Sequence, residues 1–218
     1  MGVGMLRLVR RVSVMTVAVA GFATGVASAA GAASVSTAVA SYMRVYTRSE
    51  PPSGFLSFCA RSGDQCKARN DLTDRVVLGA RQWQDLTEVN QVVNRTVKPV
   101  SDLDLYGTTE YWTLPSSSGD CEDYVLLKQK MLIERGWPQG SVLVTVVRDE
   151  AGQGHAVLTA RTSRGDYILD NRFEAIRLWH ETGYSFIKRQ SYLSPMIWMS
   201  LAPANRLVQP PVASPPDN

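Results

Sequence analysis

Apolar positions recur at three-and-four spacing in two stretches of the chain and alternate in a third. Within residues 71–98, Trp83, Leu86, Val89, Asn90, Val93 and Asn94 fall on one stripe, which predicts a helix ended by Pro99. The stripe reads as a core face and carries no chemistry. Residues 101–119 read as loop. A second helix is predicted over 120–135, with Asp120 as N-cap and Asp123 where a capping box places an acid. Tyr124, Val125, Leu127, Met131 and Leu132 form its apolar side, broadened by Leu126 and Ile133. Arg135 and Gly136 close it, with Pro138 just beyond. The period then shortens to that of strands. Val142 to Arg148, His155 to Arg161 and Asp166 to Asp170 read as three strands parted by turns at 149–154 and 162–165. The aromatic-rich stretch 179–200 adds strands and packing. A helix followed by an antiparallel meander predicts an α+β fold.

Both ends depart from this pattern. Residues 1–29 have a basic start ending at Arg11, an uncharged Val- and Ala-rich stretch from Val12 to Val26, and small residues at Ala27-Ser28-Ala29. These are the three parts of a secretory signal cleaved near Ala29, which places the mature protein in the periplasm or outside the cell. An uncleaved membrane anchor is the alternative, but the run is short for a span and is diluted by Thr16, Gly21, Thr24 and Gly25. Residues 30–50 read as a loosely held mature N-terminus. A Pro-rich tail, 202–218, holds five of the eleven prolines and reads as disordered. The single domain then runs over 30–201.

Charge changes the picture once the leader is set aside. The whole chain is +3, yet Arg7, Arg10 and Arg11 lie in the leader, which has no acid; without it 20 basic residues face 20 acidic ones. A neutral folded part gives no electrostatic reason to expect nucleic acid or an anionic membrane as partner. Export also changes the reading of the three cysteines. Cys59 and Cys66 flank a polar stretch with a Gly63-Asp64 turn, and in an oxidising compartment they are expected to close a small disulfide loop.

Cys121 is left as the odd thiol, at the first position of the second helix. Unpaired N–H groups and the helix dipole there lower a thiol pKa. The chain has two histidines, and His155 follows Gly152-Gln-Gly154 at the start of a strand. An imidazole base needs a third group to hold it, and Asp170, or failing it Asn171, ends the next strand. The register is awkward. A two-residue turn centred on Arg164-Gly165 pairs residues whose numbers sum to 329, whereas His155 opposite Asp170 needs 325, so a longer loop or a bulge is expected.

Cysteine on a helix, histidine on a strand and aspartate on the next strand occur here within Gly119-Asp-Cys-Glu-Asp-Tyr124, Gly136-Trp-Pro138, Gly154-His-Ala-Val157 and Ile168-Leu-Asp-Asn171. With Glu110-Tyr-Trp112 and Thr182-Gly-Tyr184, these motifs resemble the bacterial transglutaminase-like cysteine proteinases, the family of the LapG-type periplasmic proteases. The resemblance covers about residues 40–200. It implies a papain-like, transglutaminase-type fold and a Cys121–His155–Asp170 triad, with the Cys121 backbone N–H as first choice of oxyanion donor and Trp112 as second. It further implies calcium held by the acids beside the nucleophile, which match Asp120 and Glu122. Asp123 completes a cluster of three acids suited to a hard cation. The bland alternative is that these acids only cap the helix and complement its dipole, for about 0.3–1 kcal/mol each. The implied partners are a protein substrate such as a large surface adhesin, cut to release cells from a biofilm, and an inhibitory membrane-bound regulator. Two other readings stay open: transglutaminase- or amidase-type acyl transfer on the same triad, and a catalytically silent calcium-binding interaction module.

Overall fold

The computed structural model describes residues 1–2, 41–69 and 73–203. The expected leader, from residue 3 on, and the Pro-rich tail, from residue 204 on, lie outside the described residues. Along the chain, β1 (Arg48–Ser49) and α1 (Ser53–Arg61) precede α2 (Ala80–Thr96). Next come β2 (Lys98–Pro99), α3 (Asp102–Tyr106), β3 (Ser118–Gly119) and α4 (Cys121–Glu134). The remainder is β4 (Val142–Arg148), β5 (Gly154–Thr162), β6 (Gly165–Leu169), β7 (Arg177–Leu178), β8 (Ser185–Ser191) and β9 (Ser194–Ser200).

Seven strands form one antiparallel sheet in the order β1-β9-β8-β4-β5-β6-β7. The last hairpin folds back so that β8 lies beside β4, which makes the β-branched β4 central and buries it. Alternation sorts the side chains of each strand between two cores. Val142, Val144, Val146, Ala156, Leu158 and Ala160 meet α2 and α4 in the larger one, while Val147, Val157, Ile168 and Phe186 join Met43 on the other face.

Helix α2 starts nine residues later than its periodicity suggests. Val76 bridges Thr162 in parallel, its N–H donating to the Arg161 carbonyl at 3.0 Å, so the preceding segment is tied to the sheet. The Gln82 side chain then accepts from the Gly79 N–H to open the helix. Leu86, Val89, Asn90 and Val93 are fully buried, whereas Trp83 lies half-exposed, edge-on to Tyr167. The stretch read as loop contains α3, capped by Ser101, and β3, which pairs in parallel with β2. That small ladder fixes the chain where it enters α4. Helix α4 ends as expected, with Gly136 at φ +91° and the Trp137 N–H returning to the Leu132 carbonyl.

Residues 41–50 are docked rather than loose. β1 pairs with β9, and the Met43 N–H donates to Asp166 Oδ2 at 2.9 Å. Asp166 is fully buried and also accepts from Arg75 at 2.8 Å and Arg189 at 3.2 Å. Cys59 and Cys66 form the expected disulfide. Removing the Asp166 carboxylate leaves buried guanidinium charge uncompensated, so Asp166→Ala is expected to cost about 3–5 kcal/mol in urea denaturation. A loss below about 1 kcal/mol would contradict that role.

Candidate active site

The hairpin that carries His155 and Asp170 resolves the register differently from the expectation. Its turn is Ser163-Arg164, and Thr162 pairs with Gly165, so partners sum to 327. Neither a longer loop nor a bulge is needed. Asp170 sits one step past the last rung, Leu158 with Leu169, and reaches His155 diagonally. His155 Nε2 lies 3.0 Å from Asp170 Oδ1, both residues being buried.

Asp170 is held on all sides. Its Oδ1 also accepts from the Arg172 N–H at 3.0 Å, its Oδ2 accepts from the Tyr184 hydroxyl at 2.6 Å, and its carbonyl accepts from Asn94 Nδ2 at 2.8 Å. Burial alone would raise its pKa, but the bond to His155 and these further donors bring it to about 2. Asp170 is therefore a carboxylate acceptor and His155 Nε2 carries the proton. His155 Nδ1 is then the acceptor nitrogen; it is buried and has no hydrogen-bond partner among the described residues. The next residue, Ala156, directs its backbone N–H at the Cys121 sulfur. The first turn of α4 thus meets the start of β5, the strand that carries His155.

Asn90 and Asn94 have more to do than line a core. Besides holding the Asp170 carbonyl, they donate to the carbonyls of Phe173 and Glu174, and Asn90 Oδ1 accepts from the buried Lys128 at 2.8 Å. Two asparagines four apart on an otherwise apolar stripe were the visible signal. Trp112 is fully buried, and its indole N–H donates to Glu110 at 3.1 Å.

Carboxylates dominate the surroundings of Cys121. Asp120 occupies the N-cap position, yet its side chain makes no capping bond. Asp102, from α3, brings a ligand oxygen to within 4.8 Å of oxygens of Asp120 and Asp123. Glu122 is fully buried and turns to Cys121, accepting from its thiol at 3.0 Å. The Tyr111 N–H donates to Asp102, and the Thr113 N–H to Asp123 at 2.7 Å. Gly119 is required here, because a Cβ would sit 2.4 Å from Asp123 Oδ2. Among the described residues, four buried carboxylate oxygens have no hydrogen-bond donor: Asp102 Oδ1, Asp120 Oδ1, Glu122 Oε1 and Asp123 Oδ2. Several carboxylate oxygens without donors suit a hard cation such as calcium. Asp102, eighteen positions before Asp120, gave no sign in the sequence.

Burial is the main cause of the resulting shifts, with mutual repulsion added. Asp120 is raised to about 6 and Asp123 to about 8, while Glu122 is pushed well up. Burial and then the charges of Glu122 and Asp120 also raise the Cys121 thiol. The helix start acts in the opposite sense.

A family profile described as bacterial transglutaminase-like cysteine proteinase BTLCP matches residues 45–206, about three-quarters of the chain, and the chain belongs to this family. Its fold is accordingly transglutaminase-like. Among solved structures, Legionella pneumophila LapG is 22% identical over 49% of this chain and 62% of that one, with a TM-score of 0.44. Its calcium-bound form gives 21%, 55%, 70% and 0.48. The EGTA-treated form gives 22%, 57%, 69% and 0.47. The first match thus leaves over a third of the Legionella chain without a counterpart. Among curated proteins none matches.

Raised acids set the sign of the pH dependence. Carboxyls whose folded pKa exceeds the ordinary 3.8 stabilise fully below that value and lose the contribution as pH rises through about 6 and about 8. Lys128, lowered to about 7 by burial, acts in the opposite sense only above that pH. In EGTA the melting temperature should therefore fall between about pH 4 and about pH 7, and Asp123→Asn should flatten the slope. A melting temperature that rises over this range would contradict the assignment.

Proposed function

We propose that this chain is an exported cysteine endopeptidase in which Cys121 is the nucleophile, His155 the base and Asp170 the orienting acid. One observation carries the reading. Asp170 fixes the proton on His155 Nε2 at 3.0 Å, leaving Nδ1 as a buried acceptor at the strand start whose next N–H meets the Cys121 sulfur. Membership in a cysteine proteinase family supports it.

In this mechanism His155 Nδ1 takes the thiol proton as Cys121 sulfur attacks the peptide carbonyl carbon. The carbonyl electrons move onto oxygen, where the Cys121 backbone N–H at the helix start is the first donor. The C–N bond then breaks, and the imidazolium returns the proton to the departing amine. Water, deprotonated by the same nitrogen, releases the acyl group and restores the thiol. Asp170 stays ionised throughout and stabilises the imidazolium.

Asp120, Glu122 and Asp123, joined by Asp102, are the residues that would hold Ca2+. A bound Ca2+ would supply positive charge against the carboxylate field that raises the Cys121 thiol. Glu122 is the residue that joins the two features, since it touches the thiol while keeping one oxygen free of donors.

Export rests on the leader pattern and is consistent with the Cys59–Cys66 disulfide. The family resemblance adds the finer proposals: limited proteolysis of a large surface adhesin in the periplasm or at the cell surface, restrained by an inhibitory membrane-bound regulator.

The mature protein, incubated with calcium and unfolded protein substrates, should generate new N-termini detectable by mass spectrometry. Cys121→Ser and His155→Ala should each lower that rate by about 10³-fold or more. Incorporation of a fluorescent amine without new N-termini would point to acyl transfer. No product of either kind would favour a silent binding module. Calcium should raise the melting temperature of the wild type and leave Asp120→Asn/Asp123→Asn unmoved. An equal rise in both would place the cation elsewhere.

A further inference from the structure

Tyr184 both hydrogen-bonds Asp170 and packs its ring against His155. Its hydroxyl donates to Asp170 Oδ2 at 2.6 Å. Its ring stands edge-on to the imidazole, centroids 5.7 Å apart at 76°. The residue is itself held in place. Its N–H donates to Thr182 Oγ1 at 3.3 Å, and Thr182 Oγ1 donates to the Trp179 carbonyl at 2.8 Å. Gly183 between them has φ +79°, and a Cβ there would meet the Glu150 carboxylate at 2.4 Å. A left-handed turn therefore aims the tyrosine inward before β8 begins.

We infer that Tyr184 is a positioning residue of the triad, one that locks both the Asp170 carboxylate and the tautomer of His155. The inference rests on the triad reading above. A carboxylate has two oxygens and can rotate about its last bond. Asp170 Oδ1 is committed to His155 Nε2 and the Arg172 N–H, so its rotation is stopped only if Oδ2 has a donor of its own. Tyr184 is that donor. With the carboxylate fixed, the proton stays on Nε2, and the Nδ1 lone pair stays directed away from Asp170. The ring contact adds a second restraint, opposing tilt of the imidazole. Without the hydroxyl, buried Oδ2 loses its partner, the carboxylate turns, and a proton on Nδ1 becomes competitive. Nδ1–H has no lone pair with which to take the thiol proton.

The test compares wild type, Tyr184→Phe and Asp170→Asn in the full mature chain, with calcium present. Tyr184→Phe keeps the ring and removes only the hydroxyl. It should lower kcat by about 10- to 100-fold, the range seen when a metal-ligating histidine loses its orienting partner, with KM changed less than about twofold. Nitrogen-15 NMR of the imidazole should show Nε2–H alone in wild type and a mixture with Nδ1–H in the variant. A merely structural tyrosine would leave that spectrum unchanged. Should Tyr184→Phe fold poorly, Thr182→Ala releases the Tyr184 N–H without touching the triad, and the same change in spectrum is expected. Wild-type kcat with a pure Nε2–H signal in Tyr184→Phe would overturn the inference while leaving the triad intact. Undiminished hydrolysis by Asp170→Asn would remove the triad reading and the inference together.

Discussion

Four carboxyl groups crowd the first turn of one helix, and the electrostatics of the protein turn on how their charge is met. The α4 dipole offers each acid about 0.3–1 kcal/mol. Burying an ionised carboxylate costs several kcal/mol, so the dipole does not suffice. Backbone N–H groups of Tyr111, Thr113 and Asp102 satisfy one oxygen each of Asp102, Asp123 and Asp120, the Cys121 thiol satisfies one of Glu122, and the second oxygen of each acid has no donor among the described residues. A proton or a cation must resolve that arrangement. Glu122 makes the choice matter for chemistry, because the group left short of compensation also holds the thiol.

Around that strained start the rest of the fold is conservative. The parallel β2–β3 ladder fixes the entry to α4, and Gly119 lets Asp123 fold back against the chain. The meander delivers His155 to the same end of the sheet. Helix α2 supplies Asn94, which holds the loop after β6 at the Asp170 carbonyl. Each of the three groups is thus set by a different element, and the protonation of each is set by its neighbours. Asp170 is kept ionised by donors, His155 is kept in one tautomer by Asp170, and the Cys121 thiol is raised by burial first and by the neighbouring acids second.

Much of this was visible in the residues, and the failures have physical causes. The end of α4 was legible because the Gly136 turn is local, and its start falls where Asp120 placed it, although that side chain makes no capping bond. The meander was legible because β-branched alternation is equally local. The start of α2 was not, since the segment before it is held by a bridge from Val76 to Thr162, far along the chain. The His155–Asp170 contact followed from chain order, but its register did not, because a diagonal reach between side chains leaves no trace in turn length. The carboxylate cluster was seen in part. Adjacent acids at 120, 122 and 123 announce themselves, whereas Asp102 arrives through the tertiary fold. The helix start and the burial of the thiol act on Cys121 in opposite directions, and only the first is legible in the sequence.

Alkylation of Cys121 across pH, with calcium and with EGTA, read by peptide mass mapping of the mature protein, tests the central claim most directly. The account predicts slow labelling in EGTA, where the thiol stays protonated through neutral pH. With calcium it predicts rapid labelling and an apparent pKa below the ordinary ~8.5 of a free cysteine, while Cys59 and Cys66 stay unlabelled. A Cys121 that remains inert under both conditions would contradict the assignment of this site as the centre of a cysteine peptidase.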